Sequence, residues 1–246
     1  MEKQIIGRGL LAGALAGVLA FVFARIFVEP VIERAIAYED EAAHAHGGHS
    51  HEHGIELFTR GVQANVGMGF GVLAFGVAMG ALFAVVFAVT YGRVGNVSAR
   101  LLALYVAGAM FLSLYVIPFL KYPPSPPALS LDETIRQRTL LYLLLVVLSA
   151  ALLAAAVYLG RRLASQWGAW NAALTAAGAY VVAVAVVMLV LPGIHETPSN
   201  FPADVLYEFR LFSLGTQVVM WATIALVFGA MAARLLGENR RESIKA

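Results

Sequence analysis

The chain has 246 residues, of which 60% are hydrophobic and only 13% charged, with a formal net charge of +2 and no cysteine. A water-soluble domain of this length cannot cover so much apolar surface, so the composition excludes a soluble globular protein. A charge so close to zero gives no reason to expect a nucleic-acid partner, and without cysteine there is neither a disulfide nor a thiolate metal site.

A bilayer core about 30 Å thick takes roughly 20 helical residues to cross. Runs that long and apolar occur at 6–28, 64–90, 100–119, 140–159, 170–191 and 212–235. The expected fold is therefore an all-α integral membrane protein, one polytopic domain over 1–246 built as a bundle of six transmembrane helices. The first run follows Lys3 and Arg8, as a signal peptide would. It is longer than a secretory h-region and leads to no small-x-small cleavage site, so it reads as a helix that stays. Gly9, Gly13 and Gly17, four residues apart, permit close approach to a neighbouring helix. The second run carries Gly67, Gly69, Gly71, Gly76 and Gly80 and is long enough to tilt or bend.

With six spans both termini share one side. That side holds Lys3, Arg8, Arg93, Arg100, Arg161, Arg162, Arg234, Arg240, Arg241 and Lys245 against Glu2, Glu238 and Glu242, whereas the opposite side is mainly acidic. Basic residues concentrated in short loops mark the cytoplasmic face, so the termini are expected inside.

The expected outer face carries three longer connections, at 29–63, 120–139 and 192–211. The second and third are proline-rich, and an offset of 74 residues matches Pro118 to Pro192, Pro124 and Ser125 to Pro198 and Ser199, and Arg136 to Arg210. Arginine also opens the second span, at Arg60. The pattern fits three parallel helix-hairpin repeats. It equally fits prolines that stop helices at the interface and arginines that snorkel there.

The first outer connection holds five of the six histidines, His44, His46, His49, His51 and His53. Imidazole suits divalent cobalt, nickel, zinc and copper, and Glu39, Asp40, Glu41, Glu52 and Glu56 can complete a mixed coordination sphere. Gly47 and Gly48 argue for chain that wraps an ion rather than a rigid cage. Such a segment gathers metal and selects poorly; the alternative is an inert polar loop. His195 and Glu196, after the fifth span, form a second candidate pair, or a satisfied interfacial histidine. No Asp, Glu, Lys or His falls near the centre of any run, which removes the intramembrane carboxylates and histidines that proton-coupled carriers use. No phosphate-binding glycine loop, H-E-x-x-H or G-x-S-x-G motif is present, so the chain is not expected to be an enzyme.

Several stretches taken together resemble the predicted cobalt transporter subunit CbtA family. They are Glu29 to Tyr38 with the acidic and histidine-rich residues after it, Arg60 to Gln63, Lys121 to Pro127 with Glu133 to Ile135 and Arg138-Thr139, and Phe201 to Asp204 with Phe209-Arg210 and Ser213 to Gln217. The resemblance covers nearly the whole chain. It implies a multi-pass protein of the bacterial inner membrane tied to cobalt supply for cobalamin synthesis, often accompanied by a small single-span, histidine-bearing subunit, CbtB. Cobalt(II) would be the substrate, with nickel or zinc open on chemistry alone, and no tightly bound cofactor is expected. The histidine-and-aspartate helix motif of nickel-cobalt permeases is absent.

Two readings stand. One is a metal permease or permease subunit whose entrance is ordered by Tyr122, Pro124, Arg136, Arg210 and Gln217 and fed by the histidines. The other is a pore-less subunit that binds metal for another transporter.

Overall fold

The structure, a computed structural model, describes residues 2–45, 59–95, 97–129, 132–194, 197–198 and 200–238. The described residues are almost entirely helical: α1 (Glu2–Phe23), α2 (Glu29–Ala45), α3 (Arg60–Val62), α4 (Met68–Thr90), α5 (Ala99–Phe111), α6 (Ile117–Lys121), α7 (Asp132–Val190) and α8 (Ala203–Leu235). Single wide π-turns, Ala24–Val28, Gln63–Gly67 and Leu112–Val116, join α1 to α2, α3 to α4 and α5 to α6. Five continuous helical stretches among these residues are long and apolar enough to cross a membrane.

Two of the π-turns have a chemical cause. Pro30 and Pro118 lie two residues beyond Ala24–Val28 and Leu112–Val116. Proline has no N–H to give to the carbonyl four residues back, and its ring collides with that carbonyl in a regular helix. A wider turn relieves the collision and lets the helix run on. The carbonyl four residues before Pro118 is that of Leu114, and the Tyr142 hydroxyl donates to it at 3.4 Å. These prolines therefore bend rather than end their helices, whereas α7 does stop at Val190, just before Pro192.

The chain gathers into two compact units, one of Met1–Gly108, Ser125–Ala128 and Ser199–Ala246, the other of Ala109–Pro124 and Leu129–Pro198. In the first unit α1 packs against α4 and α8. The α1–α4 seam is lined by Gly13 and Gly17 against Gly76 and Gly80: a methyl on Gly76 would lie 2.8 Å from Gly17 Cα, and one on Gly80 2.7 Å from Gly13 Cα. Backbone thus meets backbone, which accounts for the four-residue glycine spacing. Further along, the buried rings of Phe83 and Phe87 meet Phe228 of α8 edge-on at 5.0 and 4.8 Å.

In the second unit α7 is a hairpin. Gly168 takes φ 75° and ψ 158°, a conformation glycine reaches without steric cost and other residues avoid. Beyond it the chain returns along itself: Ser149 and Tyr180 share a hydrogen bond of 2.8 Å, and a methyl on Gly160 would touch the Ala176 methyl at 3.1 Å. The two arms contain the apolar runs 140–159 and 170–191, and the expected connector at 160–169 is helical apart from Gly168. Leu145, Ala156, Tyr180 and Val184 of the arms form a core with Ile117 and Tyr122.

Helix ends lie further out than the apolar runs. The first helix continues through the π-turn to Ala45, α7 starts at Asp132 and α8 at Ala203. Parts of the connections expected at 29–63, 120–139 and 192–211 are therefore helical.

Candidate functional site

In the first unit, the end of the bundle that bears the histidine-rich segment is polar. Arg25, on the π-turn of the first helix, donates from Nε to Asn65 Oδ1 at 3.0 Å, and Asn65 donates to the Gly61 carbonyl at 2.8 Å. Two π-turns from different helices are thereby tied together. Such turns recur at functional sites because they present a side chain or carbonyl out of helical register.

One turn further on is Glu29, only 1% exposed. A carboxylate so buried is tolerated only when partnered, and Glu29 is engaged, as is Arg210. The register between the first helix and α8 places these two at one level. Gly215 faces Phe23, Phe27 meets Phe212 at 5.5 Å, Arg34 pairs with Glu208, and Tyr38 meets Phe201 edge-on at 5.1 Å. Interpolation puts Glu29 level with Phe209 to Leu211. The Arg34–Glu208 pair is about half exposed and contributes little stability; Glu29 is the member of this stretch whose burial demands a reason.

In the second unit, the corresponding feature is a cavity of about 470 Å³ lined by Tyr115, Phe119, Tyr122, Pro124, Ile135, Arg138, Thr139, Tyr142 and Leu143. Tyr115 and Phe119, tilted ring to ring with centroids 5.6 Å apart, form one wall, and Phe111 stacks behind Tyr115 at 6.1 Å. Tyr122 is buried and donates to the Pro192 carbonyl at 2.8 Å, closing one proline-rich connection onto the next. Burial pushes its hydroxyl above the ordinary tyrosine range, so it remains a donor. Arg138 reaches the Pro123 carbonyl at 3.4 Å.

Of the residues singled out from sequence, Tyr122 and Pro124 share this cavity. Arg136 lies exposed on the first turns of α7, and Arg210 and Gln217 stand on α8 in the first unit. His44 is on the last turn of α2. His46, His49, His51, His53, His195 and Glu196 lie outside the described residues. Among the described residues no three His, Cys, Asp or Glu side chains come together as a metal site. Sequence reading missed Glu29, counted as the first residue of a loop, and Tyr115 and Tyr142. The i, i+4, i+8 spacing of Phe111, Tyr115 and Phe119 was the available sign of an aromatic stripe on one helix face.

A family described as the probable cobalt transporter subunit (CbtA) has a model that matches residues 2–233, nearly the entire chain. The chain belongs to the CbtA family. No curated protein and no solved structure matches it. Membership makes this a membrane-protein subunit of the probable cobalt-transporter kind, with cobalt as the substrate the family description names. Both the Glu29 level and the tyrosine cavity lie within the matched residues.

Proposed function

We propose that this chain carries cobalt(II) inward across the bacterial cytoplasmic membrane, for cobalamin synthesis, with the histidine-rich segment as the outer collector. The chain crosses the bilayer six times, the two arms of the α7 hairpin counting as separate crossings, and both termini are cytoplasmic. In support of that orientation, Arg8 and Arg234 line one cavity at the terminal end of the first unit, and the Glu238 carboxylate holds the Ala99 N–H at 3.0 Å nearby. Basic residues at that end match the usual asymmetry of inner loops.

The observation that carries the proposal is the continuity of the first helix. One rod bears the glycine seam, the buried Glu29 and, about 22 Å further along at 1.5 Å per residue, His44 at the threshold of the histidine-rich segment. Metal collected by His44, His46, His49, His51 and His53 is held at the end of the helix that leads into the bundle. His195 and Glu196 serve as a second, smaller ligand pair beside the proline-rich connections, and Tyr122, Pro124, Arg136, Arg210 and Gln217 shape the entrance. The chain works without catalysing a reaction and with a small histidine-bearing partner of the CbtB type. Nickel and zinc compete for the same imidazoles.

The test is radioactive cobalt uptake in cells expressing the wild-type chain or a variant with the five clustered histidines changed to alanine. A collector predicts uptake lost at low metal and restored at saturating metal. Complete loss at saturating metal refutes the collecting role. A second reading, a pore-less subunit that holds metal for another channel, draws on the lack of a three-ligand cluster among the described residues. Purified chain in liposomes separates the two: cobalt flux without a partner eliminates the second reading, and binding without flux eliminates the first.

A further inference from the structure

We propose that the cavity between the start of α1 and the end of α8 binds the phosphate of an anionic membrane phospholipid, with Arg8 and Arg234 on the phosphate and Leu11 and Met231 beside the acyl chains.

The lining follows the order of a lipid from headgroup to tail. About 510 Å³ in volume, the cavity is bordered by Gln4, Gly7, Arg8 and Leu11 of α1 and by Met231 and Arg234 of α8. These two helices pack together in the first unit, α1 leaving this end and α8 returning to it. Leu11 therefore lies three residues deeper than Arg8, and Met231 three residues deeper than Arg234, about 4.5 Å in each case at 1.5 Å per residue. Both helices thus carry a cation at the rim and an apolar side chain one turn below it. A phospholipid has its phosphate and the first carbons of its chains in that same order, and basic pockets between spanning helices are where such headgroups bind. Leu11 is 65% exposed, and Ile6 and Leu10 beside it are exposed as well, so this flank of α1 is open to lipid.

Snorkelling accounts for a single arginine at a membrane interface. Two guanidiniums on different helices brought to one cavity repel each other until an anion lies between them. Among the described residues neither is paired with a carboxylate. Arg8 donates from Nη1 to the Gln4 carbonyl at 3.2 Å, one of its five N–H groups, and Glu238, four residues after Arg234, holds the Ala99 N–H with both oxygens at 3.0 Å. Residues 239–246 lie outside the described ones; they add Arg240, Arg241 and Lys245 against Glu242, so the balance of charge at this end is cationic wherever they run. Phosphate oxygens match the planar guanidinium fork, which a metal cation does not. Gly7 supplies the room, since a methyl built on it meets nothing within 4 Å. A phosphate ester with an apolar tail satisfies both the rim and the deeper lining; inorganic phosphate satisfies the rim alone.

The experiment uses the full chain purified in mild detergent, with bound phospholipid measured by native mass spectrometry and rebinding measured from vesicles containing phosphatidylglycerol or only phosphatidylcholine. Wild type should retain phosphatidylglycerol through delipidation. Arg8→Gln should retain at least about tenfold less, as expected for losing charge-assisted bonds to an anion. Arg234→Gln, whose side chain is exposed, should show a smaller loss. Arg93→Gln removes a charge from the connection between α4 and α5, which does not line the cavity, and should retain lipid as wild type does. Gly7→Leu keeps both arginines and fills the space between them, so it should also lose lipid, which guards against misfolding of the arginine variants. Wild-type retention by Arg8→Gln or by Gly7→Leu, a loss in Arg93→Gln equal to that in Arg8→Gln, or equal retention of phosphatidylcholine overturns the site. Millimolar inorganic phosphate should leave bound phosphatidylglycerol in place. If phosphate displaces it completely, the tail contributes nothing and the lipid assignment fails in favour of a free anion.

Discussion

Changing Gly80 to alanine tests the close approach of α1 and α4. The added methyl would sit 2.7 Å from Gly13 Cα and 2.8 Å from Gly13 N, both backbone atoms. Carbon atoms rest about 3.5–4.0 Å apart, so the helices would have to part by about 1 Å at this point, and no side chain can swing aside to absorb it. Overpacking a filled interior costs about 1–3 kcal/mol. Parting two backbones also loosens the contacts on either side, at Gly9 and Ala84 and at Gly17 and Gly76, so a loss of about 3 kcal/mol is expected. Alanine is otherwise the better helix former by about 1 kcal/mol, which supplies an internal control. Gly71 lies on the same helix with nothing within 4 Å of a methyl built on it. Gly71→Ala should therefore be neutral or slightly stabilising while Gly80→Ala lowers the midpoint of unfolding in an SDS titration followed by circular dichroism. If the two variants unfold together at the wild-type midpoint, α1 and α4 do not meet backbone to backbone and the assembly of the first unit is wrong.

The same geometry sets three further outcomes. Tyr180→Phe and Ser149→Ala should each cost about 1 kcal/mol, because each leaves a buried hydroxyl or its partner unpaired, while the double variant should be less destabilised than the sum; a strictly additive thermodynamic cycle would count against the 2.8 Å bond between the α7 arms. Glu238→Ala removes the carboxylate that accepts the Ala99 N–H at the start of α5 and should cost about 1 kcal/mol in thermal melts, with Glu238→Asp recovering part of it; an unchanged melt would show that the cap is dispensable. Cobalt uptake at limiting metal should fall as the pH drops through about 6.5, since imidazole ligates only when neutral. The variant lacking the five clustered histidines should lose that pH dependence, and its persistence would place the titrating group elsewhere.

The places where sequence reading stopped short share a physical origin. Hydropathy marks where a helix leaves lipid, whereas backbone hydrogen bonding decides where the helix ends. The stretches Glu29–Ala45, Asp132–Thr139 and Ala203–Leu211 are polar or mixed yet helical, so the apolar runs were legible and the helix ends were not. Proline misled for a related reason. From sequence, Pro30 and Pro118 are indistinguishable from stops, because whether a wide turn can absorb the ring, and whether a hydroxyl such as that of Tyr142 can reach the Leu114 carbonyl, depends on residues far along the chain. The glycine seam was legible in its spacing, and its partner was not, since many apolar helices could have lain beside Gly13. For function the consequence is sharpest at Glu29. Counted as the first residue of a polar loop, it carries no signal; placed within an unbroken helix and nearly sealed from its surroundings, level with Arg210, it is the acidic group nearest the bundle interior on the rod that also carries His44.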